Sequence, residues 1–353
     1  MRLPLLCLFV ALLLGSAHAA EPFFKKNDVI ALVGGEDMVV ASEYGYLELL
    51  LTRALPDYHL RFRSLAWEGD TVYEQRRDLN FPTWEEQLDK IGATVVICQF
   101  GQMESLAGKE KLPEFVTAYT NLLVRLGGEG KRRLVIVSPN YFSESTSTSP
   151  NGTSAKLESE NSSKPISERL VLSNEQHANL ATYADAIKAF AEAKSPQGNL
   201  VSAFVSRGDW DSRRGALFVR DGIHLNALGH ATGLGHFVEA LAGTPPSKWA
   251  NSSGAENPFL SVILDAAATV GAESRPPENP LLLAIRAKNK LWFDYWRVQN
   301  WAFLFGDRTN QPSSRDWRDP SKRWFPAERE EFIPLIEAKE KEIDALAAKL
   351  AGK

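Results

Sequence analysis

The chain has 353 residues, 44% of them hydrophobic and 24% charged, with a net charge of -4. That is enough for one large domain plus an appendage. Acids and bases are spread along the sequence without a basic stripe, which argues against nucleic acid as a partner, and no cationic amphipathic face points to a membrane surface.

The first residues carry one charge at Arg2, an apolar run from Leu3 to Leu14, and the small-residue segment Ser16 to Ala20. This pattern predicts a signal peptide over 1–20, cleaved near Ala19/Ala20, and export to the periplasm or the exterior. The run is too short for a comfortable membrane span, and no later stretch reaches that length, so stable insertion is not expected. Cys7 lies inside the run. Only Cys98 remains after processing, within an apolar strand pattern, and is expected to be a buried core residue without a disulfide partner.

From residue 21 to 243 short β-branched runs alternate with longer helical patterns. Strands are predicted at Val29 to Val33, Leu60 to Leu65, Thr94 to Phe100, Leu134 to Ser138 and Leu200 to Val205. Helices are predicted near Tyr44 to Ala54, Thr83 to Ile91, Pro113 to Leu126, Asn174 to Ala193 and Asn226 to Leu241. The alternation predicts an α/β domain: a five-stranded parallel sheet with helices on both faces, and chemistry at the carboxyl ends of the strands. Residues 141–167 are rich in Ser, Thr, Asn, Gly and Pro and predict a mobile surface loop; its sequons at Asn151 and Asn161 carry little weight in so Ser-rich a tract. A Pro/Gly-rich linker is predicted over 244–279. A C-terminal helical extension over 280–353 follows, as two helices at about Pro280 to Asn300 and Ala327 to Leu350. The first carries Trp292, Phe293, Tyr295, Trp296 and Trp301, an aromatic face expected to pack on the parent domain, the alternative being a separate ligand platform; a protein partner through the C-terminal helices stays open.

Every residue of chemical interest falls just past a predicted strand. The first strand stops at Gly34-Gly35-Glu36-Asp37, the second at Trp67-Glu68-Gly69-Asp70, the third at Gly101-Gln102-Met103-Glu104, and the fifth leads through an Arg/Asp/Trp-rich loop to Asp221 and His224. A carboxylate three residues before an imidazole can hold its tautomer so that one ring nitrogen faces a substrate, or can simply be a capping arrangement. His59, His177, His230 and His236 have no metal-ligand spacing and are expected in solvated or helix-surface roles; neither a metal nor an organic cofactor is implied.

Asp221-Gly222-Ile223-His224-Leu225-Asn226, with Gly69 after the second strand, resembles the SGNH (GDSL) hydrolase superfamily of extracellular esterases, lipases and carbohydrate acyl esterases, over about Val29 to Leu241. The resemblance implies a flavodoxin-like α/β/α fold, Asp221 and His224 as the acid–base couple, and the Gly69 amide in the oxyanion hole. Two blocks depart from the family pattern. Glu36, after Gly35, stands where the nucleophilic serine is expected, and Met103 replaces the oxyanion-binding asparagine, although a thioether donates no hydrogen bond. Loss of one such donor costs on the order of a hundredfold to a thousandfold in rate.

Glu36 would pair with the imidazolium of His224 and make it a poorer base, or would itself activate water or carry an acyl group. Ser42 and Ser105 fall several residues beyond their strand ends and are weak substitutes for the nucleophile. Gln102 and Glu104 flank the oxyanion position as candidate binding groups, or as merely solvated ones. Two functions stay open: an exported esterase acting on acyl esters of a glycan or small molecule, and a catalytically silent module that binds a carbohydrate or protein in the same cleft.

Overall fold

A computed structural model describes residues 21–143, 170, 172–193, 199–206, 219–252, 256–270, 279–299 and 301–352. The predicted signal peptide with Cys7, most of the Ser-rich loop with both sequons, and part of the Arg/Asp/Trp-rich loop lie outside the described residues.

In chain order the principal elements are β1 (Val29–Gly34), α1 (Glu36–Tyr44), α2 (Tyr46–Ala54), β2 (Arg61–Ser64), α3 (Trp84–Lys90), β3 (Val95–Gln99), α4 (Leu112–Gly127), β4 (Arg133–Val137), α5 (Asn174–Glu192) and β5 (Ala203–Val205). They continue with α6 (Ala227–Thr232), α7 (Leu234–Ala242), α8 (Pro258–Thr269), α9 (Pro280–Trp296), α10 (Trp301–Leu304), α11 (Trp324–Glu330) and α12 (Phe332–Leu350). The strands form one five-stranded parallel sheet, as the sequence predicts, and their order is β2-β1-β3-β4-β5. In such an order the connections run in opposite directions from β1 and from β3, so the crevice between their carboxyl ends is where ligands bind.

Alternation along the strands fills two cores. Ile30, Leu32, Val95, Ile97, Val135 and Val137 face one side; Ala31, Val33, Val96, Cys98, Leu134 and Ile136 face the other. Strands buried on both faces read as continuous apolar runs for this reason. Cys98 is buried as expected, and burial pushes its thiol up to about 12.

Three differences from the sequence reading concern helices. α1 is a helix of its own, separated from α2 by Gly45 at φ 70°. The stretch 244–279 is not structureless: Asn257 caps α8 through the amide of Leu260, and Trp249, Val262 and Ala266 are part of the main core. The last predicted helix starts earlier and breaks into α11 and α12.

The C-terminal helices pack on the parent domain. β2 is an edge strand, and its Arg61 and Arg63 reach Asp344 and Glu340 of α12 at 2.7 and 2.6 Å. Lys288 of α9 is fully buried, with its ammonium 2.9 Å from Glu48 of α2, 3.2 Å from the Phe62 carbonyl and 2.6 Å from Asn289 Oδ1. Burial pushes Glu48 up and Lys288 down, and their mutual attraction opposes both shifts.

Candidate active site

The loops after β1, β2 and β3 and the segment before α6 meet at the crevice. Trp67 N–H donates to the Gly34 carbonyl at 3.1 Å, joining the first loop to the second. Glu104 joins the second to the third: one carboxylate oxygen accepts from Val72 N–H at 2.9 Å and the other from Gly101 N–H at 2.8 Å. Asp37, the second residue of α1, accepts from Leu225 N–H at 3.2 Å and so draws the last segment in. The Asn140 side-chain amide, just past β4, also donates to Asp37.

Within this frame Asp221 Oδ2 lies 2.7 Å from His224 Nδ1, while its Oδ1 accepts from the amides of Ile223 at 3.0 Å and His224 at 2.8 Å. Burial alone would raise the Asp221 carboxyl, but the His224 ring and those two amides outweigh it and hold the group well below the usual carboxylate range. The turn depends on Gly222, at φ 100°, where a Cβ would stand 2.2 Å from the Leu170 carbonyl oxygen. On the other side of the ring, His224 Nε2 faces Glu36 Oε2 at 3.2 Å, and Arg220 grips the second oxygen of Glu36. With Nδ1–H directed at Asp221, the contact between Nε2 and Glu36 is attractive only when one proton is shared between them. Carboxylate, imidazole and carboxylate thus form a line, with Glu36 at the end away from Asp221.

The cleft above this line encloses about 50 Å³ and is lined by Gly35, Glu36, Asp70, Gln102, Met103 and His224 among others. Gly35 is the N-cap of α1, and the first residues of that helix also line the cleft. Met103 is 44% exposed and presents a thioether where a donor is expected. Gly69 has φ 81° and open space where a Cβ would be, but Asp70, not Gly69, is the second-loop residue lining the cleft. Asp70 is pinned by Arg77 through two 2.7 Å hydrogen bonds, and that guanidinium lies over Trp67.

Three expectations are revised. The Gln102 amide donates to the carbonyls of Asn140 at 3.1 Å and Ile223 at 3.0 Å, so its donors brace the loops and are not free for an oxyanion. Glu104 is 5% exposed and is a latch between loops, not a solvated rim group; burial raises its pKa against the pull of its two amide donors. His230 is 2% exposed, not solvated, and packs against Tyr44 with Asp37 3.9 Å from its ring.

The sequence reading missed Asp37, Asn140 and the gripping role of Arg220. Asp37 and Asn140 each follow a strand end at this same edge, which was an available signal. Among the described residues no group of three His, Cys, Asp or Glu side chains could hold a metal ion.

No family model and no curated protein matches the chain. Among solved structures it is similar to BT4096, a gut microbial diltiazem-metabolizing enzyme, at 14% identity and a TM-score of 0.50, over 94% of this chain and 96% of that one. Weaker likenesses are to a candidate SGNH hydrolase from Slackia heliotrinireducens (14% identity, TM-score 0.38, 61% of this chain and 99% of that one) and to a family two carbohydrate esterase from Clostridium thermocellum (13%, 0.35, 65% and 65%). The first likeness spans nearly the whole chain, and the α/β/α fold expected from the SGNH resemblance is the fold observed.

Proposed function

We propose that this chain is an exported SGNH-type hydrolase acting on acyl esters of a small molecule or glycan, in which water rather than a serine attacks the ester. The observation that carries this reading is the line Asp221, His224, Glu36, with separations of 2.7 and 3.2 Å, opening on the crevice at the carboxyl ends of β1 and β3. Glu36 takes a proton from water, and the resulting hydroxide adds to the ester carbonyl. The oxyanion is received by the amide of Gly35, which lines the cleft and donates to no protein group among the described residues. Collapse expels the alkoxide, which takes the proton of the His224 imidazolium held by Asp221. The proton on Glu36 then returns to His224 across their contact, and the line is reset.

Export rests on the predicted signal peptide. The glycan or small-molecule class rests on the family resemblance. The chemistry is tested with short-chain aryl esters and acetylated sugars, comparing the unaltered chain with His224→Ala: turnover should fall by about a hundredfold or more. Equal rates from both proteins would overturn hydrolysis by this line.

A second reading is favoured by the Arg220 grip on Glu36 and by Met103. A carboxylate already neutralised by a guanidinium is a weaker base, and a thioether gives nothing to an oxyanion. On that reading the cleft binds a carbohydrate or protein without turning it over, and saturable binding with no rate above background is the expected result.

A further inference from the structure

A second cavity, of about 430 Å³, lies away from the cleft, between the end of β2, α3, α9 and α10. Its size falls in the range of small-molecule sites, roughly 300–1,000 Å³. Six aromatic residues line it: Phe81, Trp292, Tyr295, Trp296, Trp301 and Phe305. Phe81 and Trp301 stack at 4.3 Å, and Trp301 continues onto Phe305 at 4.8 Å.

The indole and side-chain amide donors of the wall are already engaged. Trp292 donates to the Ser64 carbonyl at 2.7 Å, Trp296 to Gln87 Oε1 at 3.1 Å and Trp301 to the Leu79 carbonyl at 3.0 Å. The Gln87 amide donates to the Pro82 carbonyl at 2.7 Å, and the Asn80 amide to the Phe305 carbonyl, also at 2.7 Å. A sugar entering here would find the indole and amide donors of the wall already taken, whereas a flat apolar ring would pack against the aromatic wall. Arg329 lines the same cavity; its Nε donates to the Tyr295 carbonyl at 2.9 Å, and it has no acidic partner among the described residues. Lys90 lies 5.5 Å from the Tyr295 ring and reaches Glu330 only at 3.7 Å, both groups being more than half exposed. Glu86 also lines the cavity, with one carboxylate oxygen held by the Thr83 amide at 2.8 Å and hydroxyl at 3.1 Å. The cavity therefore combines an aromatic wall whose indole donors are taken with a rim on which Arg329 and Lys90 stand beside Glu86.

We propose that this cavity binds an organic anion with a flat aromatic body, an aryl carboxylate being the representative, its ring against Trp296 and Trp301 and its charge on Arg329 with help from Lys90. The site is independent of the ester-hydrolase reading.

The test uses the full chain and 2-naphthoate, followed by tryptophan fluorescence and calorimetry, with 2-naphthylmethanol as the neutral analogue and cellobiose as the saccharide. Saturable one-to-one binding of 2-naphthoate is expected, about tenfold tighter than that of the alcohol, with none of cellobiose. Arg329→Ala should weaken 2-naphthoate about tenfold while Arg329→Lys keeps most of the affinity. Lys90→Ala, at an exposed position that cannot disturb the fold much, should weaken it severalfold and decides the matter if the Arg329 variant is misfolded by circular dichroism. Glu36→Ser should change nothing, which separates this site from the cleft. Equal binding of acid and alcohol, preference for cellobiose, absence of saturation, or indifference to both cationic substitutions would each overturn the proposal.

Discussion

Two clusters of charge hold this molecule together, and they differ in what surrounds them. In the first, Lys288 and Glu48 meet in a fully buried pocket between α9 and α2, and each remaining donor of the ammonium is taken by Phe62 or Asn289. In the second, Glu36 meets Arg220 and His224 at the edge of the sheet, where about a third of each of the Glu36 and Arg220 side chains is open to solvent. A dry cluster with every partner supplied by protein is a fastening. A wet one at the crevice of a parallel sheet has solvent-facing room for substrate and a proton to move, and that is what catalysis requires. Charge alone does not distinguish the two; burial and position on the sheet do.

The largest expected effect tests whether the wet cluster is still shaped for ester chemistry. Glu36→Ser together with Met103→Asn would place a hydroxyl beside His224 and a donor beside the oxyanion. Aryl-ester hydrolysis should then rise by on the order of a thousandfold or more, through a burst of acyl-enzyme. No gain in a folded double variant would mean that the crevice lacks the geometry of an ester hydrolase.

The dry cluster should answer in stability instead. Lys288→Met leaves the Glu48 carboxylate buried without its counter-charge and should cost about 3–5 kcal/mol in denaturant unfolding. Lys288→Met with Glu48→Leu should recover most of that loss, because a well-packed apolar pair often equals a buried ion pair. If the double variant is as unstable as the single one, the fastening depends on the Phe62 and Asn289 hydrogen bonds more than on the ion pair.

The contrast also explains what could be seen in the sequence. Strand positions are legible because alternation and β-branched runs are enforced by a sheet buried on both faces, and the placement of Glu36 and Met103 follows from strand ends, whereas that of Asp221 and His224, beyond a long loop after β5, rests on the family resemblance of their segment. α1 is not legible as a separate helix: it begins after Gly35 rather than a capping Ser or Asp, and its Val39-Val40 pair reads as readily as strand. Lys288, Glu48 and Glu104 are hidden for another reason. Nothing in a charged residue's neighbours along the chain announces that a partner more than thirty residues away will bury it. His230 could have been found: with Ala227, Ala231 and Leu234 it falls on one helical face of buried residues.

The smallest effect concerns Asp221, the carboxylate behind His224. Asp221 has its carboxyl depressed by the His224 ring and two backbone amides, so the folded chain holds on to the ionised form more strongly than the unfolded chain does. The stability this adds is fully present above the unfolded value of about 3.9 and is lost as pH falls toward the lower folded value. Asp221→Asn removes the charge at every pH, so its melting temperature should lie below that of the unaltered chain at pH 6 and approach it below about pH 4. With roughly a third of the side chain exposed, the gap at pH 6 should correspond to about 1 kcal/mol. A gap that persists undiminished at pH 3 would show that Asp221 steadies the turn around Gly222 by shape rather than by charge, and would place it with the fastenings instead of the reacting groups.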